Sequence, residues 1–301
     1  MKIVMTGSTG FVGGHVRRRL EKEGHEVVGI GRQELNGDMQ NLASSMAGAN
    51  ALINLAGAPI NRRWTAAYKR EIYSSRIETT RRLVDAMATM NRPPSLFVST
   101  SAIGAFSPDG RYTESDAANA SDFLGRLSQD WEQEALRAES LGVRTLIFRL
   151  ALVLGHDGGL MKQLLPVFRL GLGGPVGDGR QHFSWVHIDD LVSAYLHALD
   201  NQKLSGIYHT CAPNPTNNLD FTKVLGNALG RPTLFRVPEI VLKLAFGEGA
   251  EAMTSGQCVV SERLPQSGFR FKFPELSTTV EEIVSHSRGG CPITGRVTTE
   301  P

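Results

Sequence analysis

Residues 2–13 read Lys2-Ile3-Val4-Met5-Thr6-Gly7-Ser8-Thr9-Gly10-Phe11-Val12-Gly13, and the reading of this stretch decides the fold. Residues 2–6 are a short apolar run closed by glycine, the pattern of a strand buried on both faces. Residues 11–23 carry Phe11, Val12, Val16 and Leu20 at helical spacing and stop before Gly24, so a helix follows the loop. Glycines in such a loop serve three needs: a tight turn, close approach of backbone to a pyrophosphate, and close packing of helix on strand. The helix N-terminus then offers free N–H groups and a partial positive charge to phosphates. A glycine-rich heptamer alone says little, but one lying between a strand and a helix has the context of a dinucleotide site. No Lys-Ser/Thr pair closes the loop, which disfavours a P-loop nucleotide hydrolase.

The same alternation runs outward from the loop. Further strands are expected at 26–30, 51–55, 96–100 and 144–148, and helices at 65–90 and 122–141, with a weak helical stretch at 42–46. This predicts the α/β class, a Rossmann-type doubly wound parallel sheet. After about Gly155 the alternation loosens into glycine- and proline-rich loops at 155–159, 171–179 and 213–215, with helices at 189–199, 219–229 and 238–246. The expected organisation is a dinucleotide-binding domain over 1–210 with substrate-side loops at 156–186, a small C-terminal lobe over 211–286, and a disordered tail over 287–301.

Composition narrows the function classes. With 301 residues, 41% hydrophobic and 21% charged, the chain has the make-up of a soluble globular protein with ample core. The net charge is +2 and the basic residues are scattered, so no nucleic-acid partner is expected. Cys211, Cys258 and Cys291 show neither Cys-x-x-Cys nor Cys/His ligand spacing, so neither a disulfide framework nor a metal site is expected. The longest apolar stretch, 145–154, is interrupted by Arg149 and too short for a bilayer, so no membrane partner is expected. A strand follows Met1 at once and leaves no room for a signal peptide, which makes the cytoplasm the expected compartment.

The end of the second strand bears on which dinucleotide binds. NAD-selective sites place Asp or Glu there to hold the ribose 2′-hydroxyl. This chain has Gly31-Arg32, with Glu34 the first acid, and a guanidinium can pair with a 2′-phosphate. NADP is the expected cofactor, with NAD less favoured; the alternative is an ordinary surface arginine.

Several segments then combine into a family pattern. The glycine loop, Asn54-Leu55-Ala56-Gly57, Ser99-Thr100-Ser101, Phe148-Arg149-Leu150 and the run Trp185 to Asp190 resemble landmarks of the extended short-chain dehydrogenase/reductases. Arg63-Trp64-Thr65, Ser75-Arg76, Asp130-Trp131-Glu132, Leu170-Gly171-Leu172-Gly173-Gly174-Pro175, Pro265 and Gly268-Phe269 resemble one atypical branch. Its members are NAD-dependent epimerase/dehydratase-like proteins labelled "epimerase family protein". The resemblance implies that Gly7, Gly10, Phe11, Val12 and Gly13 cradle the pyrophosphate, and that Gly31 and Arg32 flank the adenosine ribose. It places Leu55, Ala56 and Gly57 along the cofactor, Glu71 and Arg76 near its middle, and Val153 against the nicotinamide side. For Glu71 and Arg76 a solvated helix face is the competing reading.

The superfamily's usual proton relay is a tyrosine with a lysine four residues later, whose charge lowers the phenol pKa from about 10. Four residues after Tyr68, Tyr73, Tyr112, Tyr195 and Tyr208 stand Ile72, Ile77, Asp116, Leu199 and Ala212, and the matching positions hold Leu124 and Ser128. Ser101 matches the relay's partner serine, and is the candidate catalytic residue as a donor to a substrate oxygen. A strand-end serine satisfying local backbone is the alternative. Arg180 resembles the arginine that grips a substrate phosphate or carboxylate, with a plain surface arginine as its rival. His187 stands at a helix start, where capping and packing are the commoner roles, and Trp64 and Trp185 fit either a pocket wall or core. The expectation is an NADP(H)-binding oxidoreductase or epimerase of unread small-molecule substrate, lacking the Tyr-x-x-x-Lys relay. A non-catalytic NADP(H)-binding sensor or regulator is the alternative, and a homodimer through the helices at 65–90 and 122–141 stays open.

Overall fold

A computed structural model describes residues 1–108 and 110–287. Six parallel strands form the central sheet: β1 (Lys2–Thr6), β2 (Glu26–Ile30), β3 (Ala51–Asn54), β4 (Leu96–Ala102), β5 (Arg144–Leu150) and β6 (Gly206–Thr210), in the order β6-β5-β4-β3-β1-β2. The fold class is the doubly wound, Rossmann-type α/β class expected. From β1 the chain goes to one side for β2 and returns to the other side for β3. The switch point, where such sheets bind ligands, therefore lies beyond the C-terminal ends of β1 and β3.

Strand side chains alternate between two cores. Ile3, Met5, Ile53, Val98, Leu146 and Phe148 face one side, beneath α1 (Phe11–Lys22) and α6 (Ile188–Asp200). Val4, Leu52, Phe97 and Ile147 face the other, beneath α3 (Ile77–Ala88) and α4 (Phe123–Leu136). On this second face the C-terminal edge turns polar. Thr6, Asn54 and Ser99 lie in register there, and Ser101, Arg149 and His209 lie in register beyond them.

The helix expected at 65–90 is broken. α2 (Ala66–Ser74) ends at Ser75, and α3 starts after Arg76. Beyond β5, α5 (Gly159–Arg169), α7 (Asn218–Leu229) and α9 (Leu276–His286) share a third core that includes Leu165, Phe183, Trp185, Phe221, Leu225, Val280 and Ile283. Pro166 lies inside α5, so proline hid this helix within a stretch read as loop. Leu264 and Phe269 return to the core beneath α1 and α6. Apart from Ser287, the expected tail 287–301 lies outside the described residues, as does Cys291. Among the described residues no helix is long and apolar enough to cross a membrane.

Candidate functional site

At the switch point, Gly7 has φ +65°, and a Cβ there would stand 2.6 Å from the Leu55 carbonyl carbon. A Cβ on Gly13 would stand 2.8 Å from the Gly7 carbonyl carbon, so no side chain fits between helix and loop. The Gly10 N–H donates to the Gly7 carbonyl (3.0 Å) and closes the turn. Among the described residues, the N–H groups of Phe11, Val12 and Gly13 have no acceptor, and the first turn of α1 carries no acid. They form an open row of donors at a helix N-terminus, which is what a diphosphate requires.

The opposite wall is held by a network that sequence reasoning missed. Thr6 Oγ1 donates to Asn54 Oδ1 (2.6 Å) and accepts the N–H groups of Leu55 and Ala56 (3.2 Å each). Asn54 Nδ2 donates to Thr80 Oγ1 (2.8 Å), which also accepts from Trp131 Nε1 (2.9 Å). The turn Leu55-Ala56-Gly57 is thus fixed from below against Gly7. The available signal was that Thr6 and Asn54 each put a polar side chain at the end of an apolar strand.

The break between α2 and α3 serves the same turn. Ser75 Oγ accepts the Ala58 N–H (2.9 Å), and Arg76 Nη2 donates to the Ala58 carbonyl (3.0 Å). The Arg76 guanidinium packs so closely on Gly57 that a Cβ there would approach its Cζ to 2.9 Å. Burial lowers the Arg76 pKa to about 10, so it stays charged at neutral pH, and no described carboxylate pairs with it. It also stacks over Trp131 (5.4 Å). Arg76 therefore joins Gly57 at the crevice. Glu71 does not join them through any contact; it lies exposed on α2 beside Arg70, Tyr73, Ser74 and Glu78.

Just beyond β2, the Glu34 carboxylate accepts the Gly31 N–H (3.0 Å) and caps the short helix Arg32–Asn36. Arg32 is exposed and has no hydrogen-bond or ion-pair partner among the described residues. Val153 pairs with Val186 in a short parallel bridge and packs on the core beneath α1. It is brought near the glycine loop through Phe11, whose ring leaves no room for a side chain at Gly155 or Gly158. His15 Nε2 bonds to Asp157 (2.9 Å) and ties the same loop to α1. Burial opposes the Asp157 charge, but the hydrogen bond and charge of His15 outweigh it and hold the carboxyl below its ordinary value.

The candidate catalytic residue is differently engaged. Ser101 Oγ donates to Glu132 Oε1 (2.7 Å), and Arg149 Nε and Nη2 donate to Glu132 Oε1 and Oε2 (2.7 Å each), all three residues being buried. In this arrangement the serine proton holds a structural carboxylate and is not offered to a substrate. Leu124 lies against Gly104, just beyond β4, and Ser128 is buried one helical turn on. His187 caps α6: its Nδ1 accepts the Asp189 N–H (3.2 Å), which leaves Nε2 to donate to Glu282 (3.0 Å). Asp190 accepts the N–H groups of Lys272 (2.7 Å) and Phe273 (2.9 Å). The Trp185–Asp190 run is therefore the anchor of the C-terminal segment. Arg180 projects into solvent with 87% of its side chain exposed, 3.6 Å from Asp178, and meets none of the crevice residues. No described group of His, Cys, Asp and Glu could hold a metal ion.

A family model described as NAD dependent epimerase/dehydratase family matches residues 3–210. The chain belongs to this family. A second model, Domain of unknown function (DUF1731), matches residues 237–283. Among relatives of the epimerase family, epimerase family protein SDR39U1 of Bos taurus is 37% identical over 296 residues, covering 95% of this chain and 100% of its own length. Epimerase family protein YfhF of Bacillus subtilis is 32% identical over 299 residues, covering 95% of this chain and 98% of its own. The crystal structure of human epimerase family protein SDR39U1 (isoform2) with NADPH superposes with a TM-score of 0.89 at 34% identity, covering 95% of this chain and 99% of that one.

Proposed function

We propose that this epimerase-family chain binds NADP(H) in preference to NAD(H) and acts as an oxidoreductase or epimerase without the Tyr-x-x-x-Lys relay. One observation carries the reading: the acceptor-free amide row at Phe11, Val12 and Gly13 follows β1, and Arg32, an exposed guanidinium with no side-chain partner among the described residues, follows β2, the strand paired with β1. The human relative crystallised with NADPH supports it. The glycine loop would hold the diphosphate, Gly31 and Arg32 the adenosine ribose with its phosphate, and Leu55, Ala56, Gly57 and Arg76 the middle of the cofactor. Val153 would face the nicotinamide side. NADPH, when bound, supplies a hydride. Leu124 and Ser128 offer no titratable group, so any proton moved alongside comes from water or a loop residue.

A second reading, a sensor that binds NADP(H) without turnover, is favoured by the same two residues and by the Ser101–Glu132 bond. Calorimetry tests the cofactor: Arg32→Asp should weaken NADPH by about tenfold or more, the worth of a lost charge-assisted contact, and NADH much less. Equal losses would remove the preference. Bound NADPH fluorescence tests the reaction. Oxidation on adding carbonyl compounds supports the enzyme; no turnover with a broad panel, together with a partner held only in one redox state, supports the sensor.

A further inference from the structure

Three consecutive side chains of α4, Asp130, Trp131 and Glu132, each hold a different part of the molecule. Asp130 Oδ2 accepts the Tyr73 hydroxyl of α2 (2.9 Å). Glu132 accepts from Ser101 of β4 and Arg149 of β5 (2.7 Å each). Trp131 lies between these two anchors, 5% exposed, in a small core with Trp64, Ile72, Ile77 and Leu127. Trp64 is spent elsewhere. Its Nε1 donates to the Ile60 carbonyl (2.9 Å), and its main-chain N–H donates to the Phe246 carbonyl (3.0 Å) at the end of α8 (Glu239–Phe246).

The Trp131 indole is engaged in two ways. Its N–H, which can only donate, goes to Thr80 Oγ1 (2.9 Å), and Asn54 Nδ2 is the second donor to that oxygen (2.8 Å). Asn54 Oδ1 in turn accepts from Thr6 Oγ1 (2.6 Å) and from the Ala56 N–H (3.3 Å), while Thr6 Oγ1 accepts the N–H groups of Leu55 and Ala56. Thr6, Asn54 and Thr80 are each 0% exposed, so no solvent competes along this chain of bonds. The ring face lies under the Arg76 guanidinium, 5.4 Å from its Cζ. Arg76 donates to the carbonyls of Ile72 (3.2 Å) and Ala58 (3.0 Å) and packs on Gly57. Among the described residues no carboxylate pairs with it. A desolvated cation without a counter-ion gains most from an aromatic face, so the ring sets where the guanidinium rests. One indole thus supports both halves of the turn 55–58, Leu55 and Ala56 through Thr80, Gly57 and Ala58 through Arg76. We infer that Trp131 is a positioning residue for the nicotinamide dinucleotide, acting through Thr80 and Arg76 rather than by contact. This deepens the proposed function and rests on it for the ligand, but not for the hold on the turn.

Amide hydrogen exchange of the full chain without cofactor, together with NADPH calorimetry, tests this. Trp131→Phe keeps a ring under Arg76 and loses the indole N–H. Exchange should quicken at Leu55 and Ala56 and stay unaltered at Ala58, with NADPH weakened by no more than about threefold. Trp131→Leu loses both supports, so exchange should quicken at all three amides and NADPH should weaken by about tenfold or more. In an Arg76→Met background the same change to Leu should cost no more than about threefold, because the guanidinium it acted through is gone. Leu127→Ala opens a cavity in the same core but removes neither support, and should leave NADPH affinity within about twofold. Quickened exchange at all three amides in Trp131→Phe, or unaltered NADPH affinity in Trp131→Leu, would overturn the positioning role. So would a loss from Leu127→Ala as large as that from Trp131→Leu, or an undiminished loss in the Arg76→Met background, since core packing would then explain the effect. If Trp131→Leu does not fold, the exchange pattern of Trp131→Phe decides alone. A parent chain that bound no NADPH would overturn the cofactor reading, and exchange at residues 55–58 would still decide the hold of Trp131 on the turn.

Discussion

Gly13 shows how a single residue fixes the crevice. Its α-carbon faces the Gly7 carbonyl, and alanine there would force the first turn of α1, with its acceptor-free amides, away from the loop. Gly13→Ala should therefore weaken NADPH by about tenfold or more in calorimetry and destabilise the fold by about 1–3 kcal/mol, the usual result of overpacking. Retained affinity would mean that the helix can retreat without moving its N-terminus. Glycines like this are legible in sequence because the backbone itself demands them. Ser101 was less legible: its partner Glu132 lies 31 residues on, and no local pattern announces a contact of that range. The Glu132–Arg149 pair gives a second expectation. Glu132→Ala leaves a buried guanidinium without its counter-ion and should cost about 3–5 kcal/mol in urea unfolding. A loss below about 1 kcal/mol would show that water reaches Arg149.

Elements were read well where an apolar period ran unbroken and poorly where a side chain interrupted it for a tertiary reason. β1 to β3 follow their expected bounds to within a residue. The helix expected at 65–90 failed because Ser75 and Arg76 give up helical continuity to hold Ala58, a contact that a one-dimensional period does not contain. The Trp185–Asp190 run stood out as a motif, but its role appeared only when 272–282 folded back on it. Asp190 takes two main-chain N–H groups that otherwise lack an acceptor among the described residues. Asp190→Ala should destabilise by about 1–3 kcal/mol, the penalty for orphaned donors. Hydrogen exchange should rise first at Lys272 and Phe273 and then along α9, while β1 to β4 stay protected. Uniform loss of protection across the sheet would show instead that the segment is not a separately opening unit.

At the scale of the whole molecule, the chain's last third enters cores that earlier segments also fill. Val280 and Ile283 pack in the third core, while Leu264 and Phe269 pack beneath α1 and α6. A division at about residue 210 therefore cuts through shared packing, and one cooperative unfolding transition is expected rather than two. His209, on the last sheet strand, couples that transition to pH. Its Nδ1 bonds to the Val260 carbonyl (3.0 Å), so Nδ1 carries the proton, and the buried Nε2 has no hydrogen-bond partner among the described residues. Burial lowers its pKa and the Arg149 charge adds to this; Glu114, Glu132 and the Val260 bond oppose, and the net direction is down. Below the unfolded value of about 6.5, the unfolded chain takes up a proton that the folded chain refuses, so stability falls as pH falls from there towards the folded pKa. Asp157, Glu134 and Glu282 have lowered pKa values, so their contributions persist until the pH falls through those values, well below this window. Between about pH 7.5 and about pH 5.5 the parent should thus lose stability in urea, and His209→Gln, which keeps a donor for Val260 but cannot titrate, should lose less. Parallel losses in the two proteins would mean that a different group takes up the proton.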